Sequence, residues 1–376
     1  MDTDLQTAPR PPVPVSVLTG FLGAGKTTLL NRLLKAPGMA GTAVIINEFG
    51  DVPIDHLLVE QASDGIIELS DGCLCCTVRG ELVDTLADLA DRVQTGRLAP
   101  LARVVVETTG LADPCPVLQS IMAHPALLAA YRLDGVIAVA DAPNGEATLD
   151  AHEEAVRQIA VADRIVLTKT DLASREAEAS LRARLARINP GAPILDAAGG
   201  EADVGSLFDC GLYDPSTKSV DVERWLRAVA ADDHHHHDHA DDGHRHDHHH
   251  AHDHRFETFS LTLDRPIAFA AVANFLDLLR STHGEGLLRM KGIVETVEEP
   301  ERPLVIHGVR RFLHPPVRLA AWPDGRRGTR LVLITKDVPQ DYVRRLFDAF
   351  AERPGIDTPD RRALEDNPLA IGGYRP

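Results

Sequence analysis

Between Val15 and Tyr213, short apolar runs alternate with segments of helical periodicity. Each run is rich in Val, Ile and Leu and is bounded by polar turns, which is the pattern of strands buried in a parallel sheet. The runs predict strands at Val15–Leu18, Thr42–Ile46, Ile66–Leu69, Val104–Val106, Gly135–Asp141, Arg164–Leu167 and Pro193–Asp196. Glu81–Gln94 has its leucines at helical spacing. The alternation predicts an α/β fold with a doubly wound, mostly parallel sheet.

The pattern changes after residue 255, where apolar and polar positions alternate along Phe256–Leu263. It predicts strands at Phe256–Leu263, Leu287–Val294, Leu304–Arg310 and Arg330–Thr335, and helices at Ile267–Arg280 and Gln340–Ala351. Together these elements predict a small α+β C-terminal domain. Three basic residues on its strands, Arg289, Lys291 and Arg310, face either an anionic ligand or partner, or solvent.

Composition divides the chain into five parts. Residues 1–14 are polar and Pro-rich and predict a disordered start, 15–218 the first domain, 219–255 a linker, 256–353 the C-terminal domain and 354–376 a polar tail. The linker begins with a predicted helix at Val222–Ala230. It then holds twelve of the eighteen histidines, between Asp232 and His254, interspersed with aspartates. This segment cannot bury a core, so we predict disorder, and its imidazoles favour capture of Zn²⁺, Ni²⁺ or Co²⁺ over an inert linker.

Charge and cysteine usage narrow the functional classes. The 376 residues carry a formal net charge of −17, which argues against a nucleic-acid partner. No apolar run approaches the length of a membrane span, so no membrane partner is expected. The five cysteines are odd in number, and three of them are crowded together, unlike a disulfide framework. We therefore expect a cytoplasmic protein.

A phosphate-binding loop follows the first predicted strand. Residues 20–27 match the pattern G-x-x-x-x-G-K-[ST] in strand–loop–helix context. The residues expected to bind phosphate are Gly20, Phe21, Leu22, Gly23, Ala24, Gly25, Lys26, Thr27 and Thr28. Glycines let backbone N–H groups approach phosphate oxygens, Lys26 is expected to reach the β- and γ-phosphates, and Thr27 to ligate Mg²⁺.

Two further strand ends carry candidate nucleotide contacts. Glu107 ends an apolar β-branched run, which suits the Mg²⁺ side of a phosphate-loop enzyme, and Gly110 is expected to donate its N–H to a γ-phosphate. Many strands end in Glu, so this position alone is weak evidence. Thr168, Lys169 and Asp171 resemble the N-K-x-D element of GTP-binding proteins, with Thr replacing Asn. The alternative is an ordinary charged loop capped by Asp171.

The three crowded cysteines are Cys73, Cys75 and Cys76, in a turn bounded by glycine. As thiolates they can converge on one ion, and Zn²⁺ accepts such ligands. Structural zinc usually has four protein ligands, so three local thiols suit a metal that is handed on. The alternatives are buried structural cysteines or a redox pair.

The combined motifs resemble the CobW-like family of metallochaperone GTPases. The pieces that match are TGFLGAGKTT, INEFGD, DGCLCC, VETTG, TKTD, the histidine-rich linker and LLRMKG, which together span nearly the whole chain. The resemblance implies that GTP and Mg²⁺ bind at the phosphate loop and that Thr168, Lys169 and Asp171 read guanine. It further implies that Cys73, Cys75 and Cys76 hold metal, with Glu48 or Asp51 supplying a carboxylate.

We expect the metal to be zinc. Cobalt is the first alternative, since the motifs do not distinguish the two metals. The expected activity is hydrolysis of GTP coupled to transfer of metal to client metalloproteins, with Lys26, Thr27 and Glu107 at the reacting phosphate. A homodimer is an open alternative to a monomer. Two other classes remain open on the residues alone: a small-molecule kinase using ATP, and a passive metal buffer with a vestigial nucleotide site.

Overall fold

The computed structural model describes residues 11–47, 66–68, 77–208, 255–314, 316–323 and 325–351. In chain order the strands are β1 (Val13–Gly20), β2 (Thr42–Asn47), β3 (Ile66–Glu68), β4 (Arg103–Thr108), β5 (Tyr131–Asp141), β6 (Arg164–Thr168), β7 (Ile194–Asp196), β8 (Phe256–Leu263), β9 (Leu287–Val294), β10 (Leu304–Val309), β11 (Phe312–Leu313), β12 (Val317–Arg318) and β13 (Thr329–Lys336). The helices are α1 (Lys26–Leu34), α2 (Thr77–Gln94), α3 (Cys115–Ala123), α4 (Pro125–Leu128), α5 (Gly145–Ala151), α6 (Glu153–Val161), α7 (Arg175–Ile188), α8 (Val204–Leu207), α9 (Phe269–His283) and α10 (Gln340–Phe350).

The first sheet has the strand order β3-β2-β4-β1-β5-β6-β7, and every pairing in it is parallel. The predicted doubly wound parallel sheet is confirmed. β1 lies between β4 and β5, with Leu18 opposite Glu107 and Gly20 opposite Val139. The loop that follows β1 therefore starts between two other strand ends, at the edge where α/β sheets bind their ligands.

Helices cover both faces of this sheet and explain the apolar runs. One face packs against α1 and α8, through Leu30 and Leu207 among others. The opposite face packs against α2, α3, α6 and α7, where residues such as Leu86 and Leu185 are completely buried. β4 is buried over its full length, as expected of a strand covered on both faces.

The second sheet is antiparallel, with the order β11-β10-β9-β13-β8 and with β12 paired to β10. Helices α9 and α10 cover one face, where Phe275 and Phe347 meet edge to face with ring centroids 5.3 Å apart. The predicted small α+β C-terminal domain is confirmed. Its other face contributes Leu288, Val309 and Ile334 to the hydrophobic core of the first sheet.

A buried ionic cluster lies at this junction between the two sheets. Asp163, between α6 and β6, is paired with Arg289 and with Lys291 of β9, each at 2.6 Å, and its other carboxylate oxygen accepts from the backbone N–H of Val136 at 2.9 Å. All eight residues of β9 are buried. Arg289 and Lys291 therefore face neither solvent nor an external anion, the two alternatives left open by the sequence. They join the second sheet to the first.

Several predictions fall outside the described residues. These are residues 1–10 of the predicted disordered start at 1–14, the helix at Val222–Ala230, the histidine-rich segment and the tail at 354–376. Residues 11–14 of that start are described, and Val13 and Pro14 belong to β1, where they lie opposite Tyr131 and Arg132. The five-part division of the chain stays a prediction. Within the described ranges, no helix combines the length and the apolar character needed to cross a membrane.

Replacing Asp163 by Asn is expected to destabilise the protein strongly. The substitution leaves two buried cations without their carboxylate, and breaking a buried pair from one side typically costs about 3–5 kcal/mol. Urea unfolding monitored by circular dichroism measures the effect. D277N is the matched control, because Asp277 forms an exposed pair with Arg280 at 3.0 Å. The control should stay within about 0.5 kcal/mol of wild type. Equal unfolding free energies for D163N and D277N would contradict the assignment.

The loss of unfolding free energy caused by D163N is expected to depend on pH. Burial alone would raise the pKa of the Asp163 carboxyl. The Arg289 guanidinium and the Lys291 ammonium outweigh burial and hold this pKa well below its usual range. A carboxyl whose pKa is lower in the folded state contributes stability that is complete above its unfolded pKa of about 4 and is lost at lower pH. The difference in unfolding free energy between wild type and D163N should therefore shrink as the pH falls below about 4. A difference that stays constant down to about pH 2 would be inconsistent with this.

Candidate functional site

The phosphate loop closes around the ammonium of its own lysine. Gly25 precedes α1 with φ of 92°, a left-handed conformation that suits glycine, and α1 begins at Lys26. The Lys26 side chain is mostly buried, and its Nζ donates to the carbonyl oxygens of Gly20 at 3.0 Å and Phe21 at 3.4 Å. The N-terminus of α1 and the Lys26 charge together make this loop an anion site.

Thr27 and Glu107 form a pair of oxygen donors beside the loop. The Thr27 hydroxyl donates to Oε1 of Glu107 at 2.8 Å, and both side chains are nearly inaccessible to solvent. This contact joins the first turn of α1 to the end of β4. A hydroxyl and a carboxylate are the hard oxygen ligands that Mg²⁺ prefers, so the donor set fits the predicted ion.

The segment after β4 lies against the phosphate loop. The Thr108 hydroxyl donates to the Thr19 hydroxyl at 2.9 Å, which joins β4 to β1 just below the loop. At Gly110 an added Cβ would lie 2.6 Å from the backbone nitrogen of Leu22. A side chain at this position would force the two backbones apart, so glycine allows their close approach.

The Thr168–Asp171 segment holds the other side of the loop. The Thr168 hydroxyl donates to the carbonyl oxygen of Ala24 at 2.6 Å, and the Lys169 ammonium donates to that of Gly23 at 2.8 Å. Lys169, in the left-handed conformation with φ of 55°, is also ion-paired with Asp141 at the end of β5. The hydroxyl of Thr168 thus contacts the loop, and its predicted contact with guanine stays a prediction.

Asp171 is exposed at the same edge, in the short 3₁₀ turn Thr170–Leu172. This turn is joined to the end of β7, because the Thr170 hydroxyl donates to Oδ1 of Asp196 at 2.9 Å. Oδ1 of Asp196 also accepts from the backbone N–H of Ala198 at 2.8 Å. Despite the opposing effect of burial, these hydrogen bonds lower the pKa of Asp196. The carboxylate of Asp171 therefore stands at the rim of a fixed turn.

Helix α6 supplies site residues that the sequence did not indicate. Gln158 is buried, and its amide donates to the carbonyl oxygens of Gly110 at 3.1 Å and Ala112 at 3.0 Å. It also lines a cavity of about 220 Å³ between the phosphate loop, α5 and α6. His152, just before α6, stacks on Phe21 with ring centroids 4.3 Å apart. A single Gln in an amphipathic helix carries no motif, so no sequence signal marked it.

The predicted metal ligands Cys73, Cys75, Cys76, Glu48 and Asp51 lie outside the described residues. The strand that precedes the three cysteines in the chain is described, and its register shows where this part of the chain leaves the sheet. β3 ends at Glu68, opposite Ile46, and Ile46 is in turn opposite Glu107. The chain therefore leaves β3 at the edge of the sheet that carries the phosphate loop, and it is described again from the start of α2 at Thr77.

Cys115 is a different kind of cysteine. It is fully buried at the start of α3, and burial, with a smaller contribution from Asp113, raises the pKa of its thiol well above the ordinary value. A buried neutral thiol is a poor metal ligand. Across the part of the chain that the structure describes, no group of three His, Cys, Asp or Glu side chains is placed to hold a metal ion.

Two stretches of the sequence match known families. Residues 14–196 match the family described as CobW/HypB/UreG, nucleotide-binding domain. Residues 256–351 match the family described as cobalamin synthesis protein cobW C-terminal domain. The two matches correspond to the parallel and the antiparallel sheet, respectively.

Full-length relatives share both parts. The Escherichia coli protein named zinc chaperone YjiA is 36% identical over 336 residues, covering 89% of this chain and 98% of YjiA. The Pseudomonas aeruginosa protein named zinc chaperone CobW is 32% identical over 364 residues, covering 88% and 89%. The crystal structure of Zn(II)-bound YjiA GTPase from E. coli has a TM-score of 0.65 at 31% identity, covering 91% of this chain and 99% of that one. On this evidence the chain belongs to the CobW family of P-loop nucleotide-binding proteins.

Proposed function

We propose that this protein is a GTP-hydrolysing metallochaperone that carries zinc at Cys73, Cys75 and Cys76 and transfers it to client metalloproteins. The observation that carries the proposal is that the phosphate loop and the helix that follows it are hydrogen-bonded to a neighbouring strand end on each side. Thr27 is bonded to Glu107 on one side, and Lys169 is bonded to Gly23 on the other. A phosphate site with oxygen donors for Mg²⁺ and a base-reading segment thus share one loop. The names of the zinc chaperone relatives support the choice of metal.

The residues of this loop perform the proposed hydrolysis by neutralising and orienting the triphosphate. Lys26 exchanges its contacts with Gly20 and Phe21 for the β- and γ-phosphate oxygens, and the N–H groups of the loop and of Gly110 donate to the same oxygens. When bound by Thr27 and Glu107, Mg²⁺ supplies further neutralisation of the phosphate charge. Glu107 also holds Thr27 in position through their hydrogen bond.

Selection of guanine falls to Asp171 and Lys169. A carboxylate at Asp171 accepts from both N1–H and N2–H of guanine, and adenine offers no matching pair of donors. The stem of Lys169 lies over the base while its ammonium holds Gly23 and Asp141. Because this ammonium is bonded to the phosphate loop itself, base and phosphate positions are linked.

Coupling to zinc follows from the edge that the two sites share. The γ-phosphate holds the segment with Glu48 and Asp51 and the cysteine turn in one arrangement, and hydrolysis releases them, which changes the affinity for metal. The register of β3, β2 and β4 supports this, because it starts the cysteine-bearing segment two strands from Glu107. Thiolate ligands must stay reduced, so we place the activity in the cytoplasm. The same chemistry accepts cobalt as the alternative cargo.

Release of phosphate from GTP and from ATP, each with and without Zn²⁺, tests the proposed function. We expect hydrolysis that prefers GTP. D171N should weaken GTP binding about a hundredfold and shift preference towards xanthosine triphosphate, whose 2-oxo group accepts a hydrogen bond from the new amide. D277N, an Asp to Asn change on α9, is the control and should leave nucleotide preference unaltered. Preference for ATP with transfer to an acceptor would instead identify a kinase, and absence of hydrolysis a passive buffer.

Replacing Cys73, Cys75 and Cys76 together by Ala is expected to abolish the response of GTP hydrolysis to Zn²⁺. The substitution removes the thiolates but leaves the phosphate loop intact, so hydrolysis with Mg²⁺ and without added Zn²⁺ should stay within about twofold of wild type. C115A, at a buried cysteine with a raised pKa, is the control and should keep the response. Stimulation by Zn²⁺ that persists in the triple variant would show that metal sensing lies elsewhere.

A further inference from the structure

The C-terminal domain contacts the segment that follows β4 through Arg310. Arg310 lies in the turn between β10 and β11, and its guanidinium is paired with Asp113. Asp113 follows Gly110 by three residues and precedes α3. The side chains of Arg310 and Asp113 are 16% and 19% exposed, so the pair is largely shielded from water. Charge pairs in such positions are less screened than those at the surface.

Asp113 is a junction for three elements. One carboxylate oxygen accepts from the backbone N–H of Cys115 at 2.9 Å, at the start of α3. The other accepts from Arg157 of α6 at 3.4 Å and from Arg310 of the second sheet. Next to Arg157, Gln158 binds the carbonyl oxygens of Gly110 and Ala112. The path from Gly110 to Asp113 is thus fixed by α6 on one side and by Arg310 on the other.

The backbone at Arg310 is held in an uncommon conformation. Its φ is 51°, and three non-glycine residues in the described ranges have positive φ. The backbone N–H of Arg310 donates to the carbonyl oxygen of Leu287 at 2.8 Å, which fixes the turn. Left-handed conformations cost energy for residues with a Cβ and persist where surrounding contacts maintain them. Here the turn directs the guanidinium towards Asp113.

The next residue, Arg311, provides a built-in comparison. Its guanidinium is paired with Glu285 at 3.0 Å, and both side chains are about 60% exposed (59% and 61%). Arg310 also contacts Glu285, at 3.2 Å, and of these two arginines it is the one that is paired with Asp113. Two adjacent arginines of one turn therefore differ in whether they reach the first domain.

We propose that Arg310 is a positioning residue for the nucleotide site: through Asp113 it holds Gly110 against the phosphate loop at the place where a γ-phosphate is recognised. The C-terminal domain thereby takes part in distinguishing GTP from GDP. The inference rests on the proposed function for the identity of the nucleotide. The backbone of Gly110 approaches that of Leu22 so closely that an added Cβ would lie 2.6 Å from the Leu22 nitrogen. A small shift of this segment therefore changes the position of the Gly110 N–H at the γ-phosphate. GDP, which lacks that phosphate, is insensitive to the same shift.

The test compares R310M, R310K and R311M in the full-length chain. Affinities for GDP and for a slowly hydrolysed GTP analogue are measured by competition with a fluorescent nucleotide, and single-turnover hydrolysis is measured separately. R310M should lower the affinity for the GTP analogue and the rate of hydrolysis, each about tenfold. Its affinity for GDP should stay within about twofold of wild type. R310K, which keeps the charge, should fall between R310M and wild type. R311M should match wild type within about twofold throughout.

D113N breaks the same ion pair by a change in the first domain. It keeps the test decisive if R310M does not fold. It should reduce preference for the GTP analogue over GDP as R310M does, and the double variant should lose no more than the worse single one. The proposal is overturned if R310M weakens GDP and the analogue equally, or if R310M and R311M behave alike. Should wild type bind both nucleotides without hydrolysing GTP, the proposed hydrolysis fails, while the dependence of nucleotide preference on Arg310 still decides this inference.

Discussion

Hydrogen bonds between the phosphate loop and the ends of neighbouring strands hold the nucleotide site together. Thr27 reaches Glu107 at the end of β4, and Thr168 and Lys169 reach the loop carbonyls from the end of β6. These contacts are possible because β1 lies between β4 and β5 in a sheet whose strands all end at one edge. The contacts of Thr27 and Thr168 are buried, so the loss of either would leave a buried polar partner unsatisfied, whereas the contact of Lys169 with Gly23 is exposed. We therefore expect a shift of the phosphate loop to be felt at the ends of both β4 and β6.

The second sheet forms part of this arrangement. The Asp163 cluster fixes β9 against α6 with two buried cations, and the shared hydrophobic core around Leu288 and Val309 does the same by apolar burial. With that interface fixed, Arg310 can act on Asp113 from a defined position. Since binding energies are reciprocal, a protein that docks on the C-terminal domain and shifts this turn would alter nucleotide preference, and the nucleotide would alter docking.

The sequence predicted most strands within a few residues, because β-branched apolar runs such as Val104–Val106 allow little other than a buried strand. The phosphate loop was equally clear, since its glycines, Lys26 and Thr27 have a fixed spacing. The interface was not predictable: Asp163 and Arg289 lie 126 residues apart, and their pairing depends on how two sheets meet. Buried basic residues on β9 were for the same reason indistinguishable from a solvated face. Gln158 likewise acquires its role only when α6 packs beside the segment after β4.

The central claim is that nucleotide and zinc sites at one edge of the sheet sense each other. The most direct test is the affinity of the full-length protein for Zn²⁺, measured with a chelating indicator in the presence of saturating GDP and of saturating slowly hydrolysed GTP analogue. Coupling between two sites typically amounts to about five- to 150-fold, so we expect the two affinities to differ by about tenfold. Equal affinities for Zn²⁺ in the two nucleotide states would contradict the claim.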